Sequence, residues 1–190
     1  MDFAVLLGSM RRDRVGPRAA KLVIRELERR GHVAHLVDPL ELQLPLLDRM
    51  YKEYPAGEAP EQLERLAALY RGVDGFIIVS GEYNHGIPPA LKNLLDHFLE
   101  EYFWRPSGIV CYSAGAFGGV RAAMQLRMTL AELGMPSISS LLPIPRIAQA
   151  LDEQGVAADP ITDRSAGRFL DELLWHARAL AEARKAGTPY

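Results

Sequence analysis

Short apolar runs and helical patterns alternate along this chain. That alternation predicts an α/β fold, a doubly wound, five-stranded parallel sheet with helices on both faces. Three observations carry it. Five short apolar runs recur, and the central ones are nearly continuous in apolar residues, as strands buried on both faces must be. A segment of helical period separates each run from the next. One such set, closed by a final helix, uses up the 190 residues and leaves no repeat or second domain. Five strands fit the order 2-1-3-4-5, in which ligands sit outside the carboxyl ends of the strands, between strands one and three.

Each element has its own signal. Residues 3–7 are all apolar and meet Gly8-Ser9, which ends the first strand. A helix follows over 15–30, with Ala19, Leu22, Val23 and Leu27 near helical spacing. Arg29 and Arg30 suit the negative end of its dipole, and Gly31 stops it. Residues 32–37 alternate as a second strand. Residues 39–60 hold four prolines and no period, so a long loop is expected. The next helix, over 60–73, groups Leu63, Leu66, Ala67 and Tyr70. Residues 76–79 form the third strand. A helix runs from Pro89, at its tolerated first turn, to about residue 100. Residues 108–112 form the fourth strand, and a helix over 119–133 ends at Gly134. Residues 138–142 form the fifth strand. The last helix covers 162–185, opened by Thr162 or Asp163, so one domain over 1–185 and a frayed tail over 186–190 are expected.

Composition excludes several function classes. Hydrophobic residues make up 48% and charged residues 24%, too apolar for a disordered chain. Net charge is −2 and the pI about 6.2, against the basic excess of a general nucleic-acid binder, so no nucleic-acid partner is expected. No run reaches the roughly 18 apolar residues of a membrane span. Cys111 is the one cysteine and cannot build a disulfide framework. It falls inside an apolar strand, where packing outweighs a redox role. With no secretory pattern ahead of the first strand, a cytoplasmic location is expected.

The order 2-1-3-4-5 brings three loops to one edge. The first, over 8–16, contains Arg11, Arg12, Asp13 and Arg14, a local charge of +2 at a helix start. That end already carries partial positive charge, so a bound dianion would turn an unfavourable arrangement into a favourable one. The alternative is a solvated basic turn. Neither a P-loop nor a Gly-x-Gly-x-x-Gly fingerprint is present. The second loop, over 81–89, holds Glu82, Tyr83, Asn84, His85 and Gly86 between glycine and proline. It offers a flat, hydrogen-bonding wall, or else a simple turn with an Asn cap. The other histidines show no metal-ligand spacing with His85. The third loop, over 113–119, has Ser113 at a strand end and Gly115, Gly118 and Gly119, which let backbone approach a planar ligand. It is not a nucleophile elbow, because position 111 is Cys. A phosphate cradle, a polar aromatic wall and a glycine-rich loop around one crevice describe a mononucleotide site.

Gly8-Ser9-x-Arg11 is followed by Glu82-Tyr83-Asn84, then Pro88-x-x-Leu91-Lys92-Asn93-x-x-Asp96, then Ser113-x-Gly115-x-x-Gly118-Gly119-x-Arg121. In these ordered motifs the chain resembles the NADPH-dependent FMN reductase family of flavodoxin-like proteins, with its quinone reductase and azoreductase members. The match covers about residues 3–180. It implies that Ser9, Arg11 and the amides through Val15 and Gly16 hold the FMN phosphate. It implies that Glu82 to Gly86 line the ribityl chain and ring edge, and that Ser113, Gly115 and Gly118 border the ring from the other side. Many relatives have Pro at Gly81 and a second Ser at Arg14. Arg14 would supply charge there, to the FMN phosphate or to that of a nicotinamide cofactor. Lys92, Asn93 and Asp96 fit a packed helix face equally well.

The resemblance implies ping-pong chemistry: NADPH or NADH reduces bound FMN, which then reduces a quinone, free flavin, azo dye or similar small-molecule acceptor. An electron carrier of the same fold is the alternative, as is a flavin-free relative. Carriers are usually strongly acidic, with a phosphate loop rich in Thr and Gly, whereas this chain is near neutral with three arginines in that loop. The resemblance also implies a homodimer or homotetramer. A run from Leu91 through Phe98 to Tyr102, Phe103 and Trp104 adds apolar surface beyond one helix face, and suggests an interface; the alternative is packing under the 39–60 loop.

Overall fold

The computed structural model describes residues 1–190. Its sheet contains β1 (Asp2–Leu7), β2 (Val33–Val37), β3 (Gly75–Gly81), β4 (Ser107–Tyr112) and β5 (Ser137–Ile144). All four pairings are parallel, in the order β2-β1-β3-β4-β5. Side chains alternate across the pleat and both faces are apolar. Phe3, Val5, Leu7, Ile77 and Val79 pack into one core under α1 (Gly16–Arg29). Ala4, Leu6, Phe76 and Ile78 pack into the other, on the opposite face.

The 39–60 stretch is not wholly irregular. α2 (Pro39–Leu42) opens it, because Asp38 accepts from the Leu40 amide and Pro39 fits the first turn. A 3₁₀ turn, Tyr51–Glu53, follows. α3 (Glu61–Gly72) then covers the second core face with Leu63, Leu66, Ala67 and Tyr70, as expected.

α4 (Pro89–Asp96) is shorter than expected, because the aromatic residues after it turn inward. His97 Nδ1 donates to the Asn93 carbonyl at the helix end, and a 3₁₀ turn, Glu100–Tyr102, follows. Phe98 and Tyr102 are fully buried, their rings 5.0 and 5.3 Å from Tyr70. The expected apolar excess is therefore core. Phe103 and Trp104 are half-buried, packed against Tyr190 rather than the 39–60 loop.

α5 (Val120–Glu132) also packs on the second face. A short α6 (Ile147–Ala150), absent from the sequence reading, precedes α7 (Pro160–Lys185). α7 joins α1 on the first face through Phe169, Leu170 and Leu173. It starts before Thr162, because Asp159 accepts from the Ile161 and Thr162 amides. Residues 187–190 form no regular element, although Tyr190 stacks against Trp104 at 4.8 Å between ring centroids. No helix is long and apolar enough to cross a membrane.

Candidate functional site

Parallel register brings the carboxyl ends of β1, β3 and β4 together, with Leu7 beside Val79 and Gly81 beside Tyr112. The loops after them enclose a cleft of about 360 Å³. Ser9, Arg11, Arg14, Val15, Glu82, Tyr83 and Ser113 line it. Gly16, Asn84, His85, Gly86, Gly115 and Gly118 stand outside that lining.

The first loop leads into an uncapped helix. α1 has no capping side chain at Val15 and no acid in its first turn; Pro17 carries no N–H and the Arg18 amide donates to the Val15 carbonyl at 3.1 Å, which leaves the Gly16 amide without a partner at the helix start. Arg11 and Arg12 are exposed beside them, as is Asp13, the one opposing charge. Ser9 is buried; its hydroxyl lies 2.6 Å from the Tyr83 hydroxyl and accepts from the Arg11 amide at 3.4 Å. This donor set fits a phosphate monoester.

Arg14 is committed differently from the sequence expectation. Both ends of its guanidinium pair with Asp38, and one also donates to the Ser9 carbonyl at 2.8 Å. The pair is nearly buried, with 12% and 6% of the two side chains exposed. Arg14 thus braces the loop from behind. Sequence reasoning missed Asp38, although an Asp-Pro pair just after a strand of the sheet, on its ligand edge, is a helix-start signal in the right place.

Tyr83 to Gly86 form a two-residue turn, closed by paired hydrogen bonds between Tyr83 and Gly86 of 3.0 and 2.9 Å. Asn84 and His85 both take left-handed backbone, with φ of 49° and 66°, as the mirror-image hairpin turn requires. Both are exposed at the tip. Glu82 reaches the other way. It accepts from the Arg121 and Ala122 amides at 3.0 and 3.3 Å and from the Arg121 guanidinium at 2.7 Å. Burial alone would raise its pKa, but these donors outweigh burial and hold the carboxyl below its ordinary value. Glu82 is therefore a cap for α5 that fixes the base of the hairpin.

In the third loop Ser113 closes its own turn, donating to the Gly115 carbonyl and accepting from the Gly118 amide, each at 2.9 Å. Gly119 has φ 78°, and a Cβ there would lie 2.7 Å from the Tyr112 carbonyl oxygen. Gly118 and Gly119 thus serve backbone packing, whereas a Cβ on Gly115 would meet open space. Tyr112, unmarked in sequence, lines the cleft; its hydroxyl occupies the space a Cβ on Gly16 would take, at 2.4 Å. Burial pushes that phenol up to about 12, so it stays neutral. Burial likewise pushes the Cys111 thiol up to about 12, in keeping with a packing role.

Ile147, Ala148 and Gln149 of α6 form an outer wall that no motif announced. Their segment is gripped by α1, whose Arg18, Lys21 and Arg25 donate to the carbonyls of Leu151, Glu153 and Gly155. Across Arg11 and Tyr83 lies a second cleft of about 470 Å³, with Met10, Leu44, Leu46 and Pro88 among its walls. Asn93 shapes it by accepting from the Leu47 amide at 2.9 Å and donating to the Pro45 carbonyl at 2.8 Å.

Known proteins resemble this chain in sequence and in fold. The family description "NADPH-dependent FMN reductase" matches residues 1–149. A quinone reductase of Pseudomonas putida is 32% identical over 141 residues, 71% of this chain and 72% of that protein. The Saccharomyces cerevisiae NAD(P)H-dependent FMN reductase LOT6 is 28% identical over 153 residues, 74% of this chain and 79% of its own. Among solved structures, the Paracoccus denitrificans flavoenzyme NAD(P)H:(acceptor) oxidoreductase FerB superposes with a TM-score of 0.72 at 24% identity, covering 92% of this chain and 98% of FerB. That likeness supports the fold. With the family match spanning more than three quarters of its length, the chain belongs to the NADPH-dependent FMN reductase family and is an FMN-dependent NAD(P)H oxidoreductase.

Proposed function

We propose that this chain reduces quinone-type acceptors at the expense of NAD(P)H, with the FMN phosphate held at the start of α1. The observation that carries the reading is the uncapped, arginine-flanked helix start beside the buried Ser9 hydroxyl, opening on a second, apolar cleft. Bound FMN would supply the two-electron relay between nicotinamide and acceptor. The protein's part is to bind and orient. Ser9, Arg11 and the amides through Gly16 hold the phosphate. Tyr83 and the 82–86 turn stand on one side of the ribityl chain and ring, and Ser113 with its Gly115–Gly118 turn on the other. Arg14 and Glu82 act from behind, keeping the first and second loops in place. The apolar walls around Leu44 and Leu46 suit a flat acceptor, and such walls discriminate weakly among related rings.

Arg11→Ala should remove a charge-assisted hydrogen bond worth about 1.5–3 kcal/mol, a loss of about 10–150-fold in FMN affinity. Flavin fluorescence quenching reads this directly, and unchanged affinity would remove Arg11 from the site. For the whole activity, steady-state turnover of NADPH with a quinone should give parallel double-reciprocal lines, the mark of a two-stroke cycle. Intersecting lines would argue against that cycle. An electron carrier would consume no NADPH under these conditions.

The reading includes one catalytic domain over 1–185 and a homodimer or homotetramer in the cytoplasm. Phe117, Met124 and Met128 are exposed, and the two methionines lie one helical turn apart on α5. Sedimentation at the monomer mass in micromolar solution would rule the assembly out.

A further inference from the structure

We propose that Asn93 sets the size of acceptor this enzyme takes, by pinning residues 44–47 as a partition between the apolar cleft and a second cavity behind it. This rests on the acceptor reading above. Leu44 and Leu46 stand in both spaces. They wall the cleft of about 470 Å³ and also a cavity of about 260 Å³ on their other side. Asp48, Tyr54, Gln62 and His97 help close that far cavity, so its lining is more polar than Met10, Pro88 and Pro89 in the near cleft. A one-ring acceptor is served by the near cleft alone. The overhang of a larger one, a further ring or a polar arm, finds matching space behind the partition.

Little else holds the partition. From residue 44 to residue 49 no main-chain group bonds to another main-chain group. The hydrogen bonds of this stretch all come from the Asn93 side chain, through the Leu47 amide and the Pro45 carbonyl. One carboxamide thus ties down both neighbours of Leu46. Asn93 is itself well fixed. It lies in the last turn of α4, whose Leu91, Leu94 and Leu95 are buried, and its carbonyl accepts from His97 Nδ1 at 2.7 Å. The ends of the stretch are held separately. Gln62 donates to the Leu42 carbonyl, and the Tyr51 amide donates to the His97 carbonyl at 2.8 Å. Leu44 packs against the second core, whereas Leu46 is 83% exposed and gains little from burial. A segment with so few bonds and so little buried surface opens at low cost once its clamp is gone. Asn93 acts here as a positioning residue, through the strap it holds.

The test pairs limited proteolysis with turnover, on the full chain carrying Asn93→Ala, Asn93→Asp or Leu46→Ala. Trypsin can cut after Arg49, which is exposed just beyond the clamp, and that readout needs no acceptor. Turnover compares 1,4-benzoquinone with a 1,4-naphthoquinone bearing a ring-sized substituent. Asn93→Ala should speed the cut after Arg49 by about 3–10-fold, the scale of one net hydrogen bond. It should raise kcat/KM for the large quinone relative to the small one by a similar factor, through KM. Asn93→Asp still accepts from the Leu47 amide but has no donor for the Pro45 carbonyl, so it should fall between. Leu46→Ala removes the wall while the strap stays pinned. It should shift the preference and leave the cut after Arg49 at the wild-type rate. Faster cutting with an unchanged preference would mean the strap bounds no acceptor, and would defeat the proposal. A shifted preference without faster cutting in Asn93→Ala would place Asn93 in the cleft on its own account, with the same consequence. Cutting that quickens equally at other exposed arginines would report general unfolding and also count against it, as would an unchanged preference in Leu46→Ala. A wild-type chain that reduces neither quinone with NAD(P)H would instead bring down the acceptor reading, and this inference with it.

Discussion

Arg14→Ala should destabilise the protein by about 3–5 kcal/mol and loosen FMN in the same variant. Asp38 would be left as a carboxylate with 6% of its side chain exposed, its guanidinium partner gone. The Leu40 amide at the start of α2 remains its contact, and one amide does not replace a two-pronged ion pair. The Ser9 carbonyl loses a donor at the same time, so the damage extends into the phosphate loop. Chemical denaturation gives the stability and fluorescence quenching the affinity. A paired substitution separates the two effects. Arg14→Met with Asp38→Leu removes both charges and should recover much of the stability, since apolar replacements of buried pairs are often neutral. It should leave FMN binding weakened, because nothing then holds the Ser9 carbonyl. A loss below about 1 kcal/mol in Arg14→Ala would mean the pair behaves as a surface ion pair and braces nothing.

That prediction draws on a contact the sequence hides. Strand order, both apolar faces and the common edge of three loops are legible, because burial alternation and helix period are local signals. FMN and NAD(P)H enter through the family resemblance that the motifs at those loops carry. What partner a charged residue meets is another matter. Arg14 stands out as a third arginine in the first loop, yet its role is settled by Asp38, which lies 24 positions on and reaches it only through the pairing of β1 with β2. Helix ends were misread for a similar reason. α4 stops at Asp96 because Phe98 and Tyr102 belong to the core around Tyr70, and no local pattern separates such residues from an exposed aromatic patch. The glycines of the third loop tell the same story. Gly119 is required by the Tyr112 backbone, a constraint a motif records without explaining.

Glu82→Ala should cost about 2–4 kcal/mol at neutral pH, and the cost should fade in acid. The estimate combines a lost helix cap, about 0.5–2 kcal/mol, with a lost charged hydrogen bond, about 1.5–3 kcal/mol. The upper range is trimmed because Arg121 keeps 35% of its side chain in water and can rehydrate. The pH dependence follows from the direction of the Glu82 shift. Arg121 and the α5 amides hold the folded carboxyl below its ordinary value, while the unfolded chain titrates at that ordinary value. The unfolded state therefore takes up a proton first as pH falls. Stability from Glu82 is fully present above the ordinary carboxylate value and is lost as pH drops through the folded one. The gap between wild type and Glu82→Ala should hold steady through neutral pH and narrow as pH falls below the ordinary carboxylate value. Glu82→Gln keeps an acceptor for the amides without the charge, so it should fall between the two and show little of this acid dependence. Denaturant midpoints for the three proteins across that range make the comparison. A gap that persists unchanged in acid would show that the side chain serves by packing rather than by its carboxylate. In the predicted case the same carboxylate that anchors α5 also sets the base of the 83–86 turn, so FMN affinity in Glu82→Ala should decline together with stability.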